Sequence, residues 1–496
     1  MNQHRTRRTA VLIALGIISA GCHAASAVRL QPDTTRGALR RDIDAILDAP
    51  ALGRGYWAVV VRSLTSGETL YERNARRLMM PASNLKIVTL AAAAARLGWD
   101  YRYETQLFAA GTIDGGALRG DLVVVGAGDP SIMSSDADAV FGGWADALKH
   151  AGVGAIAGRV IGDDHRFDDN GLGFGWSWDD LPDDYAAPVS ALQFNENSVL
   201  VTIAPGPAPD DSAAISVSPA GSGLSIVSSV TTAAAGTPTS IAPRRLPGSM
   251  RLELRGHIAA GAPPAALTVS VDNPTLFFAT ALRDALIARG IDVRGPAVDI
   301  DSVSDAPRRS ATPIAIHRSP PLSTLAVRLM KDSQNLYAET LLKTLSAAAS
   351  APLASAERGR AETVAALQPW GVAAADVILR DGSGLSRYDY VSAEVLVSIL
   401  THLHADERLR GPFVASLPIA GRDGTLKNRM KGTAAEGNAR AKTGSMSNVR
   451  GISGYVTSAS GEPLVFSILA NNFEVAGSTI TAAEDAIVVR LATFSR

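Results

Sequence analysis

Cysteine is almost missing from this 496-residue chain, which has one, Cys22. Without a pair of thiols there are no disulfide staples, and folding must rest on hydrophobic cores alone. Aromatic residues are sparse as well, at 5%, so those cores are built mainly from Ala, Leu, Val and Ile. Neither sign of charge is in excess: 47 basic against 48 acidic residues leave a net charge of −1. That excludes the basic field of a nucleic-acid binder. Past the first two dozen residues, no apolar run reaches the ~20 residues a bilayer span requires. At 46% hydrophobic and 19% charged the chain is globular, and its length asks for two or three domains of ~150 residues.

The first residues read as an address. Arg5, Arg7 and Arg8 precede an apolar stretch from Ala10 to Ala20 and a small-residue exit, the pattern of a secretory signal peptide. Two processing sites compete. Ala25-Ser26-Ala27 suits ordinary cleavage, giving a signal peptide of residues 1–27. Ser19-Ala20-Gly21-Cys22 resembles a lipoprotein box, which would end the signal at residue 21 and attach the chain to a membrane through a lipid on Cys22. Either route sends the protein out of the cytoplasm.

Further on, Trp57, Val59 and Val61 alternate before a Thr65-Ser66-Gly67 turn and a returning Thr69-Leu70-Tyr71, which predicts a hairpin. A helix is expected after Pro81, through an alanine run that stops at Gly98. The stretch 101–313 has another texture, rich in Gly, Pro, Ser, Thr and Val, and reads as β-rich with one helix from Pro274 to Arg289. Helical patterns resume at Leu322. Strands are expected at Val449 to Tyr455 and Leu464 to Leu469, then a final helix from about Ser478. The flanks look alike in kind, so 28–100 and 314–496 are expected to form one discontinuous core around an inserted 101–313.

Lysine is a second scarcity: of the 47 basic residues only 7 are lysines, at 86, 149, 331, 343, 427, 431 and 442. A chain that uses Arg for generic positive charge points to its lysines where an amine must be able to lose a proton. Lys86 follows Ser83 by three residues, so hydroxyl and amine share one helical face close to the positive end of the helix dipole. That is a workable nucleophile and base, although Ser-x-x-Lys alone is weak, and an N-cap serine with a surface lysine is the plain alternative. Two further elements raise its weight. Ser333-Gln334-Asn335 follows an apolar helical segment, and Lys442-Thr443-Gly444-Ser445 opens a strand whose edge could pair with a peptide ligand. Ser-x-x-Lys, Ser-x-Asn and Lys-Thr-Gly in this order are the elements of penicillin-binding proteins and β-lactamases.

On these residues, with Gly126-Ala127-Gly128-Asp129-Pro130 and Asp381-Gly382-Ser383-Gly384-Leu385-Ser386-Arg387, the sequence resembles a class C low-molecular-mass penicillin-binding protein of the D-alanyl-D-alanine carboxypeptidase/endopeptidase family. The likeness spans nearly the whole mature chain. The 250 residues between Ser83 and Ser333, against 109 between Ser333 and Lys442, fit that family's large insert. The resemblance implies an α+β penicillin-binding/β-lactamase-like core, an antiparallel sheet flanked by helices, with a large β-rich insertion. It also implies catalytic roles for Ser83, Lys86, Ser333, Asn335 and Lys442, and substrate binding by Thr443, Gly444 and Ser445. Asp163, four before Phe167, would reach toward the stem-peptide amine, with Arg387 near the same pocket. Peptidoglycan stem peptides are the expected partners, β-lactams the inhibitors, and neither metal nor cofactor is required. One departure stands out: Tyr388-Asp389-Tyr390 follows Arg387 where relatives tend to have an Asn.

Other constellations carry less. His402 and His404 face different directions on a helix and make a poor metal pair. There is no Gly-x-Ser-x-Gly elbow. Gly171, Gly173 and Gly175, beside Trp176 and Trp178, read as a packed loop. Two rivals remain at this point. A β-lactamase lacks here the Glu-x-x-Leu-Asn element that would activate water, and a non-catalytic wall-binding scaffold has little use for both Lys86 and Lys442.

Overall fold

The computed structural model describes residues 34–305, 308–349 and 353–496; the stretch expected to be a signal peptide, with Cys22, lies outside them. Among the described residues, no helix is long and apolar enough to cross a membrane.

At the centre stands a five-stranded antiparallel sheet built from both ends of the chain. Its strands are β1 (Tyr56–Ser63), β2 (Thr69–Arg73), β3 (Arg440–Met446), β4 (Val449–Thr457) and β5 (Pro463–Asn471), in the order β3-β4-β5-β1-β2. The register runs Tyr56↔Asn471 to Ser63↔Leu464 between β1 and β5, and Lys442↔Ser453 between β3 and β4. β1 is covered on both faces, and the two-residue period sorts its side chains. Trp57, Val59 and Val61 join a core with the terminal helices Thr34–Leu47 and Gly477–Ala492. Ala58 and Val60 instead join the core formed by helices Leu85–Leu97, Leu322–Lys331, Asn335–Ala348 and Ala393–Ala405. The Leu85–Leu97 helix is buried at every position from 85 to 94. An alanine-rich helix apolar all round can sit in the middle of a domain, because its neighbours approach on every side.

The α+β class expected from the sequence is the observed one. Between the two halves of the sheet, the chain forms its own seven-stranded mixed sheet and two three-stranded sheets. Their separate core concentrates scarce aromatics: Phe141, Trp144, Phe194, Phe277 and Phe278. Strand Ala315–Arg318 pairs antiparallel with Glu104–Asp114, so this sheet reaches past residue 313. The expectation of one helix in this stretch needs correction, since Ala137–His150 is a second alongside Pro274–Ala288. Its central Gly142 and Gly143 conceal it in the sequence. A Cβ at Gly142 would lie 2.6 Å from the Arg289 guanidinium carbon, the movable end of a flexible side chain. The histidines of the Ala393–Ala405 helix are half-buried ring neighbours, His402 stacked on Trp370 at 4.2 Å and His404 tilted against Tyr455.

Candidate active site

Ser83 lies in a short 3₁₀ turn, Ala82–Asn84, that feeds the Leu85–Leu97 helix. The turn is anchored from both sides. Asn471, at the end of β5, pins Met80 through both backbone groups (2.8 and 3.1 Å), and the Gly384 loop presses against the Ala82 carbonyl. Ala82 itself is held at φ +45° and Ser333 at φ +61°. Such left-handed conformations cost a non-glycine residue ~1–3 kcal/mol and persist only where the surroundings enforce them. Here they fix the residue before one hydroxyl and the residue bearing the other.

Lys86, one turn along, has no exposure. Its Nζ is 2.8 Å from Ser83 Oγ, 2.6 Å from Asn335 Oδ1 and 3.0 Å from Ser383 O. The Asn335 amide is oriented by its other end, where Nδ2 donates to Tyr185 O at 2.8 Å, so Oδ1 must face the amine. Asn335 Oδ1 and Ser383 O can only accept. When the amine is neutral, these two acceptors take both of its N–H groups and leave the lone pair for Ser83 Oγ. Burial pushes Lys86 down to about 7, against the opposing pull of Asp381 and Glu339. Lys442, also without exposure, is driven well below its ordinary value by burial and by the charge of Lys86; its Nζ donates to Ser333 Oγ at 2.8 Å and to Thr443 O at 2.7 Å. The segment bearing Ser333 is clamped from the intervening domain: Glu196 accepts two bonds from Arg328 and one from Gln334.

Strand β3 forms the facing wall as the free edge of the central sheet. Ala441 N bonds Pro418 O on the side away from β4, and strand alternation turns the N–H groups of Thr443 and Ser445 the same way. Gly444 packs directly on the Ser83 turn, where a Cβ would meet Pro81 O at 2.6 Å and Asn84 Nδ2 at 2.7 Å. Ser83, Ser333, Asn335, Arg387 and Ser445 line one cleft of about 340 Å³.

The structure therefore brings Ser83, Lys86, Ser333, Asn335 and Lys442 together, with Gly444, Ser445 and Arg387 in the walls; the Arg387 guanidinium donates to Ser447 O at 3.1 Å. Thr443 is beside Lys442, its hydroxyl on Thr425 at 2.7 Å. Asp163 is not brought to the cleft. It ends strand Val160–Asp163, pairs with Arg309 at 3.1 Å and accepts the His165 N–H, so its carboxylate is committed elsewhere. Away from the cleft, Asp164, Asp299 and Asp301 place carboxylate oxygens within 4.8 Å of one another, a grouping able to hold a cation that the sequence did not suggest.

Sequence reasoning missed the second layer. Glu339 and Asp381 order the turn over Lys86, with Glu339 accepting N–H bonds from Gly382 and Ser383, and Asp381 from Gly384 and Ser386. Asp389, in the stretch that departs from the family pattern, is wholly buried and accepts from the Arg380 and Asp381 amides. The 171–178 loop is only partly packed. Trp176 donates to Asp381 at 2.9 Å, whereas Phe174 and Trp178 are exposed.

Fold and cleft together define a penicillin-binding, β-lactamase-like architecture. The chain belongs to the D-Ala-D-Ala carboxypeptidase 3 (S13) family, whose model matches residues 39–494, and it is accordingly a D-Ala-D-Ala peptidase. It is 34% identical to the D-alanyl-D-alanine carboxypeptidase of Actinomadura sp. (strain R39), over 99% of this chain and 91% of that one. It is 27% identical to D-alanyl-D-alanine carboxypeptidase DacB of Haemophilus influenzae, over 84% and 85%. Penicillin-binding protein 4 (dacB) from the same organism superposes with a TM-score of 0.80 at 26% identity, covering 92% of this chain and 99% of that one.

Proposed function

We propose that this protein is an exported serine DD-peptidase that cleaves after D-Ala in peptidoglycan stem peptides and their cross-links through a Ser83 acyl-enzyme. Lys86 takes the Ser83 proton as Oγ attacks the D-Ala carbonyl, and the N–H groups of Ser83 and Ser445 receive the developing oxyanion. Ser333, backed by Lys442, passes a proton to the departing amine. Asn335 holds the substrate amide, while Thr443 binds the terminal carboxylate and the β3 edge pairs with the peptide. Water then releases the acyl group. Carboxypeptidase and endopeptidase cleavage differ only in what leaves, since the acyl-enzyme is common to both. β-Lactams enter the same chemistry as acylating inhibitors; the H. influenzae penicillin-binding protein 4 has been crystallised in complex with a β-lactam. Export, with or without a lipid on Cys22, rests on residues 1–27 of the sequence.

The observation that carries this reading is the placement of Lys86 Nζ between two pure acceptors, Asn335 Oδ1 and Ser383 O, and Ser83 Oγ, which would arm the neutral amine toward one hydroxyl. Fluorescent penicillin should label the protein covalently, and Ser83→Ala should abolish labelling. A variant that still labels would refute the nucleophile. Mass analysis of products from monomeric and cross-linked muropeptides would apportion the two cleavage modes.

A further inference from the structure

One turn along from Asn335 lies a buried acid that the chemistry above does not use. Glu339 is 4% exposed, and its carboxylate is occupied by backbone. Gly382 N–H reaches both oxygens at 3.0 Å and Ser383 N–H reaches Oε1 at 2.8 Å. The residues so gripped turn their carbonyls toward the Ser83 helix: Gly382 O accepts from Thr89 Oγ1 at 2.7 Å and Ser383 O from Lys86 Nζ at 3.0 Å. Acid, amides, carbonyl and amine thus form one chain of contacts across the turn. Without the acid, two buried N–H groups would lose their acceptor, and the turn could rotate its carbonyl off the amine.

Resting on the reading of Lys86 as the base, we propose that Glu339 is a positioning residue for it. Glu339, with Asp381 on the neighbouring amide, fixes the turn that presents the Ser383 carbonyl to Nζ, and once ionised it favours the ammonium formed when Ser83 gives up its proton. The other charged groups facing the amine are Asp381 in the same turn, with Asp389 behind it, and Lys442 from β3. Asp381 is committed to the Gly384 and Ser386 amides and to Trp176, and Asp389 to the Arg380 and Asp381 amides. Glu339 grips the N–H of Ser383 itself, and Asp381 the Gly384 N–H of the peptide whose carbonyl touches Lys86. The influence is mutual: burial and the Asp381 charge push Glu339 up, while Glu339 and Asp381 pull Lys86 up against its own burial.

The test is the pH dependence of acylation of the full chain by fluorescent penicillin, compared among wild type, Glu339→Gln and Glu339→Asp. Burial and Asp381 push the Glu339 carboxyl up to about 8, so its charge holds the ammonium in the upper part of the limb; Gln cannot ionise, and Lys86 there sheds its proton at lower pH. The acidic limb of the profile should therefore move to lower pH, and the plateau should fall by about tenfold with the lost amide bond. Asp keeps the charge but retreats by one methylene, so its limb should stay in place while the plateau falls. A role in packing alone would lower rates without moving the limb. Normal wild-type acylation with an unmoved limb in Glu339→Gln would overturn this inference and leave the acyl-enzyme standing; absence of wild-type acylation would overturn both. If Glu339→Gln does not fold, Glu339→Asp decides. A displaced limb, or a wild-type plateau, would then refute the assignment.

Discussion

Gly444→Ala probes the fit between the edge strand and the Ser83 turn. The glycine is needed for space; the added methyl would lie 2.6 Å from Pro81 O, 2.7 Å from Asn84 Nδ2 and 3.1 Å from Ala82 Cβ. Relaxed contacts are ~3.5–4.0 Å. The neighbours have nowhere to go. Ala82 and Asn84 are without exposure, Asn84 Nδ2 is equally tight against the Gly451 position, and Asn471 pins the preceding Met80. Relief must come from strand and turn parting by close to ~1 Å, and overpacking of this kind costs ~1–3 kcal/mol. The same displacement moves Ser445 away from Ser83, and a ~1 Å misplacement of reacting groups costs on the order of 10²-fold in rate. Acylation by fluorescent penicillin and thermal unfolding, measured together, separate the two effects. The melting midpoint should fall by roughly 2–4 °C per kcal/mol lost, whereas acylation should fall by about 10²-fold. A variant acylated as fast as wild type would refute the idea that this spacing sets the site.

The remaining predictions follow from burial. Acylation should rise as pH passes through about 7, where Lys86 sheds its proton; equal rates at about pH 5.5 and about pH 8.5 would count against Lys86 as the base. The folded state holds Lys86 neutral while the unfolded chain keeps the proton, so stability should rise with pH between about 7 and 10.5. Lys86→Met should make that rise shallower in denaturant titrations, the remainder coming from Lys442, which burial also lowers. Lys343, 2% exposed, binds the Asp168 carboxylate at 2.6 Å and the carbonyls of Asp168 and Asn170. Its replacement by Met should destabilise the fold by about 3 kcal/mol in urea unfolding, because a shielded carboxylate loses its partner. Gly143→Ala, with nothing within 4 Å of the new methyl, should stabilise by up to ~1 kcal/mol through helix propensity; a lower melting point would argue against a helix there.

What could be read in advance divides along sequence distance. Ser83 and Lys86 are one turn apart, and Lys442-Thr443-Gly444 is contiguous, so local geometry made them legible; order along the chain linked them to Ser333 and Asn335. The alternation of Trp57, Val59 and Val61 announced a strand, and the alanine run a helix. Gly142 and Gly143 hid the Ala137–His150 helix, because glycine is among the poorest helix formers and two in succession mask the pattern. The role of Asp163 rests on the family resemblance, yet its partner Arg309 is 146 residues away, and nothing nearby foretold that ion pair. The Tyr185 carbonyl that orients Asn335 was invisible for a different reason: backbone groups carry no letter. Glu339 did leave a signal, one turn after Asn335 as the only carboxylate on a helix buried from residue 335 to 347. A lone carboxylate in such a stretch has to find N–H donors.

The central sheet joins β1 to β5 through pairs such as Tyr56↔Asn471, and the amine beside Ser333 arrives on Lys442. During synthesis at ~5–20 residues per second, the serine hydroxyl is made early and waits for most of the polypeptide before its surroundings exist. Synthesis of residues 440–471 therefore acts as a timer: until those strands are made, the cleft lacks its facing wall and the amine beside Ser333.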